Sequence, residues 1–309
     1  MASSGSIEGE DIHVSDEPEE QIGLTVVKKY KTDLRIAQFM AACSDESLWV
    51  SENLVKNVLK KIKHTDDGFE IQSKFNIVVY GMAVTPSDDL LLSTDGSTLK
   101  IIRGNTGEMV DSQISVNPLE PKFLHISRNG ELFISVKSRE PLYSAEGQRL
   151  VIVMDMEGIQ QAKYGYDEKQ KALFTYLWGI ATSKNGNICV IDRLSINCKG
   201  RVVVLNSRGS VENIYNGYPK VEEAPFKPRG IVVTEAGNIL VSATAERVSL
   251  HILDCSGQLL AYFNTKDRGI ESSPFSLVFT ASGKFYIGGT TLATSTDTAH
   301  LYEVILTGC

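Results

Sequence analysis

One pattern recurs six times along this chain: a short apolar strand, a tight turn and a second apolar strand. The clearest copy is WGIATSKNGNICVID (178–192), in which Gly186 occupies the turn. The other copies are RGIVVTEAGNILVS (229–242), FSLVFTASGKFYIGG (275–289), KFLHISRNGELFIS (122–135), YGMAVTPSDDLLLS (80–93) and the degenerate QFMAACSDESLWVS (38–51). The turn positions are Glu46, Asp88, Gly130, Gly186, Gly237 and Gly283. A period of about 40 to 55 residues indicates an array of similar structural units.

Each copy is followed by further strand-like sequence. After the 178–192 copy come GRVVVLN (200–206) and VENIYNG (211–217), and the turn signal NSRG lies between them. Four short strands per unit and six units predict an all-β fold, a six-bladed β-propeller of four-stranded blades. The best helical candidate, LVKNVLKKIKH (54–64), falls where the third strand of blade one is expected.

The two ends of the chain are predicted to close the ring together. The last blade begins at Phe275 and lacks a full fourth strand, while LTVVKKY (24–30) precedes the first inner strand without a partner. Pairing this segment into the last blade removes two open sheet edges. Residues 1–22 form an acidic leader that we expect to be disordered, and residues 23–309 form the propeller.

Charge and cysteine content narrow the environment. The chain has 38 acidic and 31 basic residues, and seven of the acidic ones lie in the first 20 positions, so the remainder carries equal numbers of each sign. Five widely spaced cysteines without a CxxC pair favour reduced thiols over disulfides or zinc. No apolar run reaches the roughly 18 residues of a membrane helix. These features predict a cytoplasmic protein that is a monomer and binds neither membrane nor DNA.

The sequence contains no recognisable catalytic or metal-binding motif. The predicted inner strands GMAV (81–84), FLHI (123–126), GIAT (179–182), GIVV (230–233) and SLVF (276–279) contain no carboxylate that could hold a metal in the channel wall. We therefore expect no catalytic residue, no metal and no cofactor.

A binding surface is expected where the central channel opens. In an antiparallel blade, the loops between blades and those between strands two and three lie on one side, here called the top face. The six residues that directly precede the inner strands should ring the channel mouth: Gln38, Tyr80, Lys122, Trp178, Arg229 and Phe275. The longest top-face loops, around blades three and four, add Tyr176, Arg193, Arg201 and Phe226. Aromatic residues and arginine are enriched at interface hot spots, and both stack on single-stranded bases.

The repeat resembles a known family. Blade five reads PRGIVVTEAGNILVS (228–242), RVSLHILDCSG (247–257) and QLLAYF (258–263), which is similar to the NHL-repeat propellers, in particular the C-terminal propeller of tripartite-motif ubiquitin ligases. The resemblance covers about residues 23–309. The Asn-His-Leu-type loop is not intact, and only Asp192 matches the strand-end aspartate. The RING and B-box zinc modules and the coiled coil are absent, so the resemblance implies the recognition part of a ligase without its catalytic part.

Three functional interpretations follow. The first is a non-catalytic propeller that binds a protein partner or substrate through its top-face loops in a ubiquitin pathway, and is not itself an enzyme. The second is a propeller that binds single-stranded RNA on the same face, although the neutral body lacks the cationic excess that binds phosphates. The third is a metal-dependent, lactonase-like hydrolase, or a lyase, on a six-bladed scaffold. One fold hosts many functions, so these alternatives remain open at this point.

Overall fold

The chain folds into six four-stranded antiparallel sheets arranged as the blades of a propeller. The computed structural model describes residues 22–53, 55–65, 68–143, 146–219, 224–244, 248–290 and 298–309. The predicted all-β six-bladed fold is confirmed. Residues 58–64 of the segment 54–64 belong to a strand, the third of blade one, as predicted. The predicted leader lies outside the described residues except for its last position.

The first three blades follow the chain from their inner strand to their outer strand. Blade one contains β2 (Phe39–Ala42), β3 (Leu48–Glu52), β4 (Val58–Thr65) and β5 (Gly68–Asn76). Blade two contains β6 (Gly81–Val84), β7 (Leu90–Ser93), β8 (Thr98–Ile102) and β9 (Met109–Ser115). Blade three contains β10 (Glu120–Ile126), β11 (Leu132–Lys137), β12 (Arg149–Met154) and β13 (Gln160–Tyr164).

The last three blades repeat this order, and the first strand of the chain completes blade six. Blade four contains β14 (Leu177–Thr182), β15 (Ile188–Arg193), β16 (Gly200–Leu205) and β17 (Val211–Tyr215). Blade five contains β18 (Pro228–Val233), β19 (Ile239–Thr244), β20 (Val248–Leu253) and β21 (Leu259–Asn264). Blade six contains β22 (Ser273–Phe279), β23 (Phe285–Thr290), β24 (His300–Thr307) and β1 (Gly23–Lys31). A 3-10 helix at Lys266–Arg268 joins the last two blades.

The hydrophobic core is divided among the spaces between neighbouring blades. Six clusters of buried apolar side chains are formed, and each combines residues from two adjacent blades. In blade four, every residue of the middle strands β15 and β16 is buried except Arg201, because neighbouring blades cover both faces of these strands. This is why they contain continuous apolar runs, whereas three of the five residues of the outer strand β17 are exposed.

The six turn positions of the repeat all adopt a left-handed backbone conformation. The four glycines have φ between 80° and 102° and the degenerate positions Glu46 and Asp88 have φ of 65° and 60°. These two carboxylates compensate for the strained conformation by joining blades across the bottom face. Asp88 accepts a hydrogen bond from the Ser44 N–H at 2.9 Å, and Glu46 accepts one from the Ser282 N–H at 2.9 Å.

Closure of the ring occurs as the sequence predicts. Strand β1 pairs antiparallel with β24 from Gly23↔Thr307 to Lys31↔His300, so it is the outermost strand of blade six. Leu24 and Tyr30 on this strand are 2% and 3% exposed. The Tyr30 hydroxyl donates to Glu303 at 2.7 Å and contacts His64 Nε2 of blade one at 2.5 Å. The first strand therefore binds the last blade and contacts the first.

A bulge interrupts the inner strand of blades three to six near its top end. In each case one residue more is present on the inner strand than on its partner, at 121–124, 177–179, 228–231 and 274–276. Serines of the second strand compensate for the lost ladder bonds: Ser135 Oγ accepts from the Phe123 N–H at 2.8 Å, and Ser242 Oγ accepts from the Gly230 N–H at 2.9 Å. Bulges redirect side chains, and these coincide with the predicted mouth positions.

Candidate functional site at the channel mouth

Four aromatic rings form a floor across the top of the channel. The Trp178 ring centroid lies 5.1 Å from that of Phe123, 6.4 Å from that of Phe275 and 6.5 Å from that of Phe39. The four rings come from blades one, three, four and six and are here called the aromatic floor. Trp178 and Phe275 are predicted mouth residues, whereas Phe39 and Phe123 each follow one by a single position. A cavity of about 100 Å³ at this level is also lined by Gln38 and Arg229.

A second ring of side chains lies around the predicted one. It consists of the residues seven positions after each turn: Asn53, Asp95, Lys137, Arg193, Thr244 and Thr290. Asp95 accepts from the Tyr80 hydroxyl at 2.8 Å, and Thr244 Oγ1 accepts from Arg229 Nε at 2.7 Å. Of these six, the sequence analysis identified Arg193 alone. Counting seven residues forward from each turn would have found the others.

Lys122 and its neighbours form a charged group on the blade-three side of the mouth. Its Nζ lies 3.9 Å from the centroid of the Tyr80 ring and 3.4 Å from Glu120, which also pairs with Lys137 at 3.0 Å. Burial lowers the pKa of Lys122, although Glu120 opposes this shift. A lysine with a lowered pKa in a cleft is a candidate for proton transfer, because more of it is neutral near physiological pH.

Two arginines lie together on the opposite side. The guanidinium carbon of Arg193 is 3.1 Å from the centroid of the Trp178 ring, and that of Arg229 is 5.3 Å from the centroid of Phe275. Arg229 Nη1 donates to the Cys198 sulfur at 3.4 Å. Burial and the charge of Arg229 lower the pKa of Arg193. The predicted residues Trp178, Arg193, Arg229 and Phe275 are therefore brought into one place.

Asp192 and Arg201 hold the segment that leads to Trp178. Asp192 is completely buried, and its Oδ1 accepts from the Thr175 and Tyr176 N–H groups at 2.7 and 2.9 Å. Arg201 Nε donates to Asp192 Oδ2 at 3.0 Å, and Arg201 Nη2 lies 3.0 Å from the same oxygen as an ion pair. The predicted site residue Arg201 thus supports the site from behind.

The remaining predicted residues differ in their surroundings. Tyr176 packs against Trp178 with ring centroids 6.1 Å apart and is nearly buried. Phe226 is 4% exposed and packs edge-on against Tyr215 and His251 in the core between blades four and five. The structure therefore separates Phe226 from the channel mouth.

Blade one contains a counterpart of Asp192 that the sequence analysis missed. Glu52 occupies the same position, six residues after the turn, is completely buried, and accepts from the Arg35 N–H at 3.0 Å. Arg35 precedes inner strand β2, as Tyr176 precedes the bulge at Trp178. The shared register position was the available signal, and the change from aspartate to glutamate concealed it.

The described residues at the mouth do not suit a divalent cation. Within the described ranges there is no group of three or more His, Cys, Asp or Glu side chains that could hold a metal ion. The mouth carboxylates Asp95 and Glu120 are already bonded to Tyr80 and to two lysines, and the nearby cationic side chains repel a cation. Across the same ranges, no helix has the length and hydropathy required to cross a membrane.

His125 in the channel wall provides a test of the inner-strand packing. Its Nε2 accepts from the Thr182 N–H at 3.2 Å, and burial lowers its pKa from 6.5 to about 4. The unfolded chain therefore binds the proton more readily than the folded chain between these values, so the free energy of unfolding falls as the pH drops from about 6.5 to 4. Between pH 7 and pH 4, the free energy of unfolding of His125→Gln, measured with urea, should fall by about 1 to 3 kcal/mol less than that of the parent. His300→Gln is the control. If the parent and His125→Gln had the same pH dependence of stability, His125 would not be the group responsible for it.

Comparison with known proteins gives structural likenesses only. No protein-family model matches the chain, and neither does any curated protein sequence. A luciferin-regenerating enzyme aligns with a TM-score of 0.62 at 14% identity, over 92% of this chain and 95% of that one. The PQQ-bound aldose sugar dehydrogenase of Streptomyces coelicolor aligns with a TM-score of 0.62 at 10% identity, over 93% and 98%. A candidate gluconolactonase aligns with a TM-score of 0.56 at 18% identity, over 92% and 93%.

These likenesses establish the six-bladed fold and correct the functional expectation. The three solved structures named above are described as enzymes, and they contradict the expectation of a non-catalytic recognition propeller that is not an enzyme. Nothing in the comparisons supports the NHL-repeat, tripartite-motif, ubiquitin or RNA-binding aspects of the sequence resemblance. The third interpretation, a hydrolase or lyase, agrees better with these neighbours.

Proposed function

We propose that this chain is an enzyme of the hydrolase or lyase class whose small-molecule substrate binds at the channel mouth. The observation that carries the proposal is the environment of Lys122, a partly buried amine with a lowered pKa whose Nζ lies 3.9 Å from the centroid of the Tyr80 ring and 3.4 Å from Glu120. The next residue in the chain, Phe123, belongs to the aromatic floor. The enzymatic descriptions of the structural neighbours support the same class.

The arrangement supplies the two components that such reactions need. Hydrolysis of an ester or lactone and elimination next to a carbonyl both require a group that moves a proton and a group that stabilises negative charge on oxygen. Lys122 in its neutral form can accept a proton from water or from a carbon next to the carbonyl, and Glu120 holds the resulting ammonium. The guanidinium of Arg229 can stabilise the developing oxyanion. The aromatic floor excludes water from one side of the bound molecule.

A metal-dependent form of this chemistry is not part of the proposal. The lactonase-like alternative calls for a cluster of metal ligands, and the described residues form no group of three or more His, Cys, Asp or Glu side chains that could hold a metal ion. Each step is therefore assigned to Lys122, Glu120 and Arg229.

The test is a kinetic screen of the full chain with aliphatic lactones, an aromatic lactone and aryl esters, with and without a chelator. We expect turnover of at least one substrate above the uncatalysed rate. The kcat/KM of Lys122→Met should be at least about 100-fold lower than that of the parent, because proton transfer contributes about 10²–10⁴-fold. The parent rate should rise with pH toward a midpoint below the usual lysine value. Lys184→Met, which removes an exposed lysine from a bottom turn, should match the parent.

Two results would contradict the proposal. One is the absence of turnover across the whole panel. The other is a Lys122→Met variant that is as active as the parent and has the same pH profile, since Lys122 would then have no part in proton transfer. Circular dichroism of each variant shows that a loss of activity does not come from unfolding.

A further inference from the structure

Arg193 is a buried charge for which the described residues provide no anionic partner. The residue is 4% exposed, and its Nε and Nη2 atoms are buried without a hydrogen-bond partner in the described part of the chain. Its guanidinium instead covers the Trp178 ring at 3.1 Å. An unpaired buried charge costs several kcal/mol, so the folded protein retains this arrangement at the expense of stability.

Other arginines in the same molecule show how buried guanidinium groups are otherwise satisfied. Arg201 pairs with Asp192 and also donates to the Leu173 carbonyl oxygen at 2.8 Å. Arg149, which is 5% exposed, donates to the carbonyl oxygens of Gln148 at 2.9 Å and Pro141 at 3.1 Å. Arg149 Nε is also buried without a partner, but the Nη atoms of Arg149 donate to oxygens. Arg193 instead covers an aromatic ring and lies near a second cation, Arg229.

That second cation strengthens the demand for an anion. Arg229 donates to a hydroxyl and a thiol, Thr244 at 2.7 Å and Cys198 at 3.4 Å, and forms no ion pair within the described residues. The two guanidinium groups, which cover the neighbouring rings of Trp178 and Phe275, repel each other, and an anion between them would remove this cost. Guanidinium groups bind planar carboxylates in a two-point geometry.

The space beside the arginines favours a flat ligand. The cavity of about 100 Å³ is bounded by Trp178 and Phe275, whose faces offer stacking surface, and by Arg229 at its edge. The aromatic rings in its wall favour a carboxylate joined to a flat, conjugated framework that can pack against them.

We propose that Arg193 and Arg229 bind the carboxylate of the substrate, and that the substrate is a small aromatic or otherwise conjugated carboxylic acid derivative whose flat framework stacks on Trp178. That the bound anion is a substrate rests on the proposed function, whereas the binding of an anion rests on the geometry of the mouth alone. Arg229 then contacts both the carboxylate and the reacting carbonyl group, while Arg193 contacts the carboxylate.

The test compares anions with neutral molecules of the same shape. Binding of benzoate and cinnamate to the full chain is measured by calorimetry and by quenching of tryptophan fluorescence, with benzamide and cinnamamide as matched neutral ligands and phenyl phosphate as the tetrahedral anion. We expect each carboxylate to bind at least about tenfold more tightly than its amide. Arg193→Met and Arg229→Met should each lose about tenfold or more in affinity for the carboxylates, since a hydrogen bond between charged groups is stronger than one between neutral groups. Arg208→Met, which removes an exposed arginine, should bind as the parent does.

Thermal unfolding separates a binding role from a structural one. Without ligand, Arg193→Met should unfold at the same or a higher temperature than the parent, and Arg193→Lys should recover part of the carboxylate affinity. Equal binding of carboxylates and amides, or no binding of either up to millimolar concentration, would overturn the inference. So would tighter binding of phenyl phosphate, or a destabilised Arg193→Met with unchanged affinity.

The same measurements distinguish this inference from the proposed function. Carboxylate binding that depends on Arg193, with no turnover in the kinetic screen, supports the anion site and contradicts the enzyme. Turnover of neutral lactones that benzoate does not inhibit supports the enzyme and contradicts the anion site.

Discussion

A chain that lacks residues 1–31 is expected to lose its cooperative fold. This deletion removes strand β1 and with it the buried side chains of Leu24 and Tyr30. Strand β24, whose residues Leu301 and Tyr302 are completely buried, becomes the exposed edge of blade six. The contact between Tyr30 and His64 is lost as well. A stability of about 5–15 kcal/mol, typical of folded domains, does not survive the loss of a closing strand.

Deletion of residues 1–21 is the matched control and should leave the thermal unfolding temperature unchanged. Circular dichroism and calorimetry of both shortened chains provide the measurement. An unfolding temperature of the 1–31 deletion equal to that of the parent would show that ring closure contributes little. A large effect of the 1–21 deletion would place the start of the folded unit earlier than the predicted boundary at residue 23.

Replacement of Arg201 by methionine is expected to destabilise the chain by about 3–5 kcal/mol at neutral pH, because it leaves the buried Asp192 carboxylate without its cation. Burial already raises the pKa of Asp192. Without Arg201 that pKa rises further, so the variant can relieve the penalty by protonating Asp192 as the pH falls. The loss of stability should therefore be smaller at pH 5 than at pH 8. Urea unfolding at both pH values measures it.

Two further variants make this result specific. Arg208→Met removes the same side chain from an exposed turn and should change the free energy of unfolding by no more than about 0.5 kcal/mol. Combining Arg201→Met with Asp192→Asn removes both charges, and the double variant should be more stable than Arg201→Met alone. If Arg201→Met were as stable as the parent, Asp192 would not depend on this partner.

The turn register was sufficient to predict most of the fold. Its spacing gave the number of blades, and the unpartnered segment 24–30 gave the closing strand. Even the degenerate turns at Glu46 and Asp88 adopt the left-handed conformation of the glycines they replace, because their carboxylates bond to neighbouring blades. Repetition makes this inference possible, since a weak copy is interpreted from a strong one.

The site was only partly predictable because its geometry depends on contacts between blades. The register placed Trp178, Arg229 and Phe275 at the mouth, but no local pattern indicates that the Arg193 guanidinium covers the Trp178 ring or that Cys198 contacts Arg229. Phe226 is of a residue type that is common at interfaces, but its side chain packs in the core. The functional expectation was wrong because the family resemblance rests on residues that form the blades. Those residues do not determine what the mouth binds.

The bulges in blades three to six have a consequence for how this mouth can change. A side chain at an ordinary strand position is constrained by its cross-strand neighbour, so a substitution there alters sheet stability. Trp178 and Phe275 each lie between two ladder pairs and have no such neighbour. Their identity is therefore largely independent of sheet pairing, and a library of substitutions at these two positions could redirect ligand preference while the blades remain folded.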